Sequence, residues 1–260
     1  MNRKMIYQVA VGNRSELYEH CIQSVADYSN RIGADHIVQR TPKLRIKPDV
    51  FATNRSVESY EKHGGYLPIY EKENAFEYFS DYDSIAIVDA DIYIRPTALD
   101  VFNAFGASYE FGAVVERDAP ITDAYVKKLL GYTRMQYSSL NDVDWEWNES
   151  GAKFYNMGFM IMNKSFTRHL KGQTPKEFIE RPEFKRFVDG EGAWKWSTDQ
   201  TLLNYFVKKE RVKVKDLSWH FNALYTAVKD ISPAHFVHFF LKDKLPEKGE
   251  NVEELMKAIG

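Results

Sequence analysis

Cysteine is almost missing from this chain: Cys21 stands alone among 260 residues, so no intrachain disulfide can form. Cys21 falls in the row Leu17, Cys21, Val25, Tyr28, Ile32, whose spacing is helical, and its plain reading is a buried core thiol. Long apolar runs are missing too. Met1 to Val11 carries charges and ends at Gly12, too short for a signal peptide, and nothing elsewhere approaches the ~20 apolar residues of a membrane span. The expectation is a cytoplasmic protein. Its one hint of a peripheral membrane contact is the basic run Lys208, Lys209, Arg211, Lys213, Lys215, which more simply reads as a solvated face. A positive excess is also lacking. The formal net charge is −2, which gives no field to attract nucleic acid. Internal repeats, low-complexity tracts and a linker are absent as well.

What is present is a globular composition, with 44% hydrophobic and 15% aromatic residues. The first half alternates strand and helix. Ile6 to Val11 reads as a buried strand, followed by a helix that Ser15 can cap and Gly33 can end. His36 to Gln39 is a second strand candidate; Thr41 to Gly65 is irregular, with a short helix near Ser56. Ile69 to Phe79 reads as helix, Ser84 to Val88 as a buried strand and Phe111 to Glu116 as another. Such alternation predicts an α/β domain with a mostly parallel sheet. In the second half, Asp142 to Gly151 reads as a loop and Phe159 to Asn163 as a strand. Thr174 to Val188 and Thr198 to Val207 read as helices, Arg211 to Val214 and His235 to Leu241 as strands, and Glu250 to Ile259 as a last helix. The two halves are expected to share one sheet.

Four patches carry chemistry. Asp89 and Asp91 end the apolar run Ser84 to Val88; at i and i+2 on extended backbone, both carboxylates face one point. They would lie at the sheet's carboxyl edge, where open α/β sheets bind ligands, and paired hard oxygens suit Mg²⁺ or Mn²⁺ on a diphosphate. A bare D-x-D is common in surface loops, but two acids ending a buried strand need a counter-ion. The second patch is Tyr155 to Asn163, where Gly158 permits close backbone approach and Asn156 offers a donor and an acceptor; a turn leading into a strand is the bland reading. The third is Ser197 to Asn204, in which Ser197 or Thr198 can cap a helix and Asp199 suits its amino end. Capping leaves Gln200 unexplained, along with Trp194 and Trp196, which could form a sugar-stacking wall. The fourth is His235 to Lys244. Its histidines at i and i+3 of a strand face opposite sides, so only one can join a metal, with Lys242 and Lys244 as phosphate counter-charges.

In this order the patches resemble the retaining glycosyltransferases of the glycogenin and lipopolysaccharide galactosyltransferase family (glycosyltransferase family 8-like), which have the GT-A fold. Asp89 and Asp91 match its D-x-D; Asn156, Gly158 and Asn163 its F-N-x-G stretch; Asp199, Gln200 and Asn204 its D-Q-x-x-x-N; His238 and Lys244 its histidine-to-lysine spacing. The likeness runs from about residue 5 to 246. It departs where the family's glycine after His-Phe is Phe240 or Leu241, where Lys-Pro-Trp has become Lys244-Leu245-Pro246, and at Lys72, where arginine is usual. The resemblance implies one GT-A domain over 1–260, with a nucleotide-binding half at 1–118 and an acceptor and catalytic half at 119–260. The fold it implies is Rossmann-like, with a central, mixed but mostly parallel sheet flanked by helices. It further implies that Asp89, Asp91 and His238 ligate a metal, Mn²⁺ before Mg²⁺ because an imidazole joins the carboxylates. Lys244 would then meet the diphosphate of a nucleotide-sugar donor, first of all a UDP-sugar. Ala10, Val11 and Gly12 would line the base, with Ala90, Lys72 and Asn222 also on the donor side.

The expected function is therefore metal-dependent transfer of a sugar to a glycan or other hydroxyl acceptor. In a retaining enzyme Gln200 or Asp199, with Asn156 nearby, would sit beneath the anomeric carbon; in an inverting one Asp199 would be the base. The Asp142 to Gly151 loop, with Trp145 and Trp147, is a candidate cover for the donor. Three rivals fit less well. A haloacid-dehalogenase-type phosphatase wants Thr or Val where Tyr93 stands. A nucleotidyltransferase wants a glycine-rich basic loop that Val11-Gly12-Asn13-Arg14 is not. A non-catalytic glycan- or nucleotide-sugar-binding module leaves Asp199-Gln200 without a purpose.

Overall fold

The structure is a computed structural model that describes residues 2–12, 15–50 and 61–260. Nine strands occur among these residues: β1 Lys4–Val9, β2 Asp35–Gln39, β3 Ser84–Val88, β4 Ile92–Ile94, β5 Phe111–Val115, β6 Tyr155–Asn163, β7 Val214–Leu217, β8 Ala223–Leu224 and β9 Phe236–His238. Six form a central sheet in the order β2-β1-β3-β6-β5-β7. β6 pairs antiparallel with both β3 and β5, while the other pairings are parallel, so five strands run one way and β6 runs against them. This is the expected mixed, mostly parallel sheet, and strands from both halves of the chain build it.

The apolar run of β3 follows from burial on both faces. Ile85 and Ile87 join one core with Met5, Tyr7, Met160 and Met162; Ala86 and Val88 join the other with Ile6, Phe159 and Ile161. The second face is covered by the helix Glu16–Ile32 through Val25 and Tyr28. Its boundaries are the expected ones: Ser15 Oγ accepts from Tyr18 N at 3.1 Å, and Gly33 closes it in the left-handed region at φ 66°. The first face is covered by the Pro68–Ser80 segment and by the helix Asp199–Lys209, with Tyr70, Phe76, Leu202 and Phe206 pointing inward.

Several elements depart from expectation. Pro68–Ser80 winds as 3-10 turns, with Tyr70 to Phe76 all buried, so Glu71, Lys72 and Glu73 face the interior. The expected helix from Thr174 to Val188 is broken into Pro175–Ile179 and Lys185–Asp189, because Pro182 cannot continue the ladder. The strand expected at Arg211 to Val214 begins at Val214, since Arg211 turns the chain at φ 50°. The His235 to Leu241 strand narrows to Phe236–His238; beyond it Leu241 adopts φ 64°. β6 starts earlier than expected, at Tyr155. The helix proposed near Ser56 lies outside the described residues, as does the Asn13-Arg14 pair.

A second sheet, ordered β4-β9-β8, follows directly from the Asp89–Asp91 turn. Antiparallel pairing of β4 with β9 sets Ile92 opposite His238. That register brings the fourth patch to the first.

Candidate active site

The carboxyl ends of β1, β3 and β5 and the amino end of β6 meet at one edge of the central sheet. There they border a cavity of about 1370 Å³ lined by Ala10, Val11, Gly12, Lys72, Asp89, Ala90, Asp91, Glu116, Asn156, Gly158, Asp199, Gln200 and His238, among others. Asp89 leaves β3 in a turn held by Ile92 N donating to Asp89 O at 3.1 Å, and Asp89 N donates to Gly158 O at 2.8 Å. One ligand atom each from Asp89, Asp91 and His238 falls within 4.8 Å of the others. Two carboxylates and an imidazole so placed fit a divalent cation of the Mn²⁺ type.

Charge in this corner is tightly coupled. His238 Nε2 lies 3.3 Å from Asp91 Oδ1. Burial works against the imidazolium, but the Asp91 carboxylate more than offsets it and raises the His238 pKa; burial likewise opposes the Asp91 anion, which His238 stabilises into a lowered pKa. Lys72 Nζ sits between two acids, 2.9 Å from Asp89 Oδ1 and 2.7 Å from Asp199 Oδ2, and donates to Met157 O at 3.0 Å. Burial opposes its charge, yet Asp199 and Asp89 together raise its pKa. Burial pushes Asp89 up to about 6 against the pull of Lys72.

The N-x-G stretch is a bulge. Between Ala113, opposite Met160, and Val114, opposite Asn156, β5 advances one residue while β6 advances four. Such bulges re-aim side chains, and this one turns the Met157 and Gly158 carbonyls to Lys72 and to Asp89 N. Gly158 has no room for a side chain: a Cβ would lie 2.3 Å from His238 Cε1. Gly12, at φ 72°, is equally confined by His63.

In the D-Q stretch Thr198 caps the helix by accepting from Gln200 N at 3.1 Å. Gln200 Oε1 accepts from Met157 N at 3.2 Å, and its Nε2 donates to Tyr132 OH at 3.4 Å. Asn204 clamps the helix to β6, accepting from Tyr155 N at 2.7 Å and donating to Tyr155 O at 2.8 Å. Asn163 ends β6 by bonding Tyr109 O and capping Ser165 N, far along the strand from the cavity.

Of the residues expected on the donor side, Asn222, Lys242 and Lys244 do not line the cavity. Asn222 is buried behind His238, its Oδ1 3.0 Å from His238 Nδ1. Lys244 is exposed in the 3-10 turn Lys242–Lys244. Trp196 does line it, at 41% exposure; Trp194 is turned away, donating to Gln136 O. The Asp142 to Gly151 loop does not reach it either. Trp145 stacks on Tyr137 at 4.2 Å, and Lys208 and Lys209 fasten Glu146 and Asp142 to the helix Asp199–Lys209.

Other liners were not singled out from the sequence: Glu116, Tyr125, Lys127, Lys128, Tyr132, Lys62 and His63. Glu116 had a visible signal. It follows the apolar strand Phe111–Val115 just as Asp89 follows Ser84–Val88.

No protein-family sequence model matches the chain, and neither does any curated protein. Solved structures do. The galactosyltransferase LgtC in complex with donor and acceptor sugar analogues aligns with a TM-score of 0.54 at 16% identity, over 98% of this chain and 95% of that one. An active-site mutant of LgtC gives 0.53 at 16%, over 98% and 96%. The fold is GT-A. Mouse xyloside xylosyltransferase 1, in its apo form, shares it with a TM-score of 0.50 at 10% identity, over 94% and 99% of the two chains. At such identities the likeness is one of architecture, and within the GT-A fold the site's chemistry rests on the side chains above. Among the described residues no helix is long and apolar enough to cross a membrane.

Proposed function

We propose that the chain is a glycosyltransferase that moves a sugar from a nucleotide-diphosphate sugar, a UDP-sugar first, to a hydroxyl acceptor with retention of configuration. The observation that carries this reading is the convergence of Asp89, Asp91 and His238 with the Lys72–Asp199 pair on one cavity at the carboxyl edge of a GT-A sheet. Joined there by Gln200, these residues fit a diphosphate leaving group and the sugar it departs from.

Asp89, Asp91 and His238 would hold the divalent cation, which when bound neutralises the departing diphosphate. Ala10, Val11 and Gly12 border the end of the cavity suited to the base. Lys128 lines the wall, whereas Lys244 is exposed outside it, so Lys128 is the better placed to add positive charge to the diphosphate. Asp199, 2% exposed and ion-paired with Lys72, is poorly disposed to take a proton from an acceptor, which favours retention over an inverting reaction with Asp199 as base. Gln200 is held from both ends and offers an uncharged dipole beneath the anomeric carbon. Trp196 provides a ring face for an acceptor sugar, which makes a glycan the favoured acceptor. The chain 1–260 is proposed to act as one catalytic unit.

Calorimetric titration of UDP, GDP, CDP and dTDP, each with Mn²⁺ or with EDTA, tests the donor site on the wild type and on Asp91→Ala. One diphosphate should bind only with the metal and lose at least 100-fold in affinity in the variant, roughly 3 kcal/mol. Binding that ignores both metal and Asp91 would sink the reading. Product anomericity by NMR then decides retention.

A further inference from the structure

Behind the metal corner runs a continuous buried hydrogen-bond chain. Its members are His238, Asn222, Asn156, Glu116 and Tyr125, all buried. Asn222 Oδ1 lies 3.0 Å from His238 Nδ1; Asn222 Nδ2 donates to Asn156 Oδ1 at 2.9 Å and meets Asn156 O at 3.4 Å. Asn156 Nδ2 donates to Glu116 Oε2 at 2.7 Å, and Tyr125 OH donates to Glu116 Oε1 at 2.6 Å. Carboxamides and imidazoles can turn over, so each link in such a chain could run either way in principle.

One atom removes that freedom. The backbone N–H of Gly158 donates to Asn156 Oδ1 at 3.0 Å, and a backbone amide can only donate. Asn156 must therefore present its oxygen to Gly158 and its amide nitrogen to Glu116. Asn222 then faces two oxygens of Asn156, the side-chain one and the main-chain one, and must offer them its own Nδ2. That leaves Asn222 Oδ1, an acceptor, facing His238. Nδ1 of the imidazole has to carry the proton.

We propose that Asn156 and Asn222 are positioning residues that pass the donor direction of the Gly158 amide to His238, fixing a proton on Nδ1 and aiming the Nε2 lone pair at the divalent cation. The proposal rests on the metal role of His238 given above and adds how that role is prepared before any cation arrives. A metal-bound imidazole gains affinity and orientation when its second nitrogen donates to a fixed acceptor. The sterics agree: a Cβ on Gly158 would also lie 2.6 Å from His238 Nδ1, so the residue whose amide sets the direction is also the one on which the ring rests.

The first test needs no metal. Long-range ¹H–¹⁵N spectra of the full chain, imidazole-labelled, metal-free and taken above the pH at which His238 becomes neutral, should show a protonated-type Nδ1 and an unprotonated-type Nε2 for His238. An unprotonated-type Nδ1 overturns the proposal even if the protein binds Mn²⁺ and turns over. The second test is Mn²⁺ affinity by electron paramagnetic resonance, with thermal melts to confirm folding. Asn222→Ala should weaken binding on the order of 10–100-fold. In the same variant the neutral His238 ring should lose its fixed tautomer; an imidazole that still carries its proton on Nδ1 alone would reduce Asn222 to packing and overturn the proposal. Failure of the wild type to bind Mn²⁺ would remove the metal-dependent reading instead, and the Nδ1 spectrum would still decide the hydrogen-bond direction.

Discussion

The two walls of the cavity solve the burial of polar groups in opposite ways. On the His238 side, Asn222, Asn156, Glu116 and Tyr125 are joined by directional hydrogen bonds. On the Lys72 side, compensation is by charge: one ammonium serves Asp89 and Asp199 at once. Glu73, fully buried next in sequence to Lys72, has neither carboxylate oxygen hydrogen-bonded among the described residues. Burial, with Asp199 adding to it, raises the Glu73 pKa well above the carboxylate range. Two residues earlier, Glu71 shows what a satisfied carboxylate in the same segment looks like, receiving Gln39 Nε2 and the amides of Lys43, Leu44 and Arg45. Hydrogen-bond wiring sets the orientation of one side chain; shared charge holds groups together while leaving orientation looser and strain nearby.

The contrast can be broken most severely at Lys72. Lys72→Met leaves Asp89 and Asp199 without their common cation and should lower stability by roughly 3–5 kcal/mol, read as a fall in urea midpoint at unchanged slope. Next in size is the wired wall. Gly158→Ala forces His238 off its seat, and Mn²⁺ affinity should fall on the order of 10–100-fold while the urea midpoint moves far less than in Lys72→Met. If Gly158→Ala binds Mn²⁺ like the wild type, the orientation set by the wired wall does not matter to the metal. The smallest effect should be a gain. Glu73→Met removes an unpartnered buried carboxyl and should stabilise by about 1–3 kcal/mol, seen as a Tm a few degrees higher. The pH dependence has a definite sign. A carboxyl with a raised folded-state pKa contributes its stability in acid and loses it as pH rises through that pKa, so the gain from Glu73→Met should be larger at pH 8 than at pH 5. A gain of equal size at both pH values would mean that Glu73 is not the strained member of the comparison.

Much of the framework was legible because burial on two faces writes a plain pattern. Ser84–Val88 was read with its observed ends, and the Ser15 and Gly33 caps fixed the first long helix on both sides. The paired acids, Gly158 and the D-Q stretch were legible as types in an order, and the structure brings them to one cavity. What failed had local causes. Pro182 divides the stretch Thr174 to Val188 that reads as one helix, and the 3-10 winding of Pro68–Ser80 leaves no trace in spacing, since Glu71, Lys72 and Glu73 are buried by tertiary contacts. Lys244 was placed by spacing from His238, but Leu241 at φ 64° turns the chain between them. The place of Asn222 behind His238, and that of Glu116 at the other end of the chain of bonds, depend on contacts 66 and 40 positions away from Asn156. No short motif spans such distances.

The reversed strand β6 has a consequence for how the molecule comes into being. β3, with no charged residue, is paired on one side by β1, but its other neighbour is β6, which ends only at Asn163. During synthesis at about 5–20 residues per second, the strand that carries Asp89 must therefore wait several seconds with a bare apolar edge. The helices and β5 that emerge meanwhile cannot seal it, because β5 reaches the sheet only through β6. The segment on which His238 later comes to rest is thus also the keystone of assembly on the ribosome, and a chain stopped before it would present an open, sticky template to its neighbours.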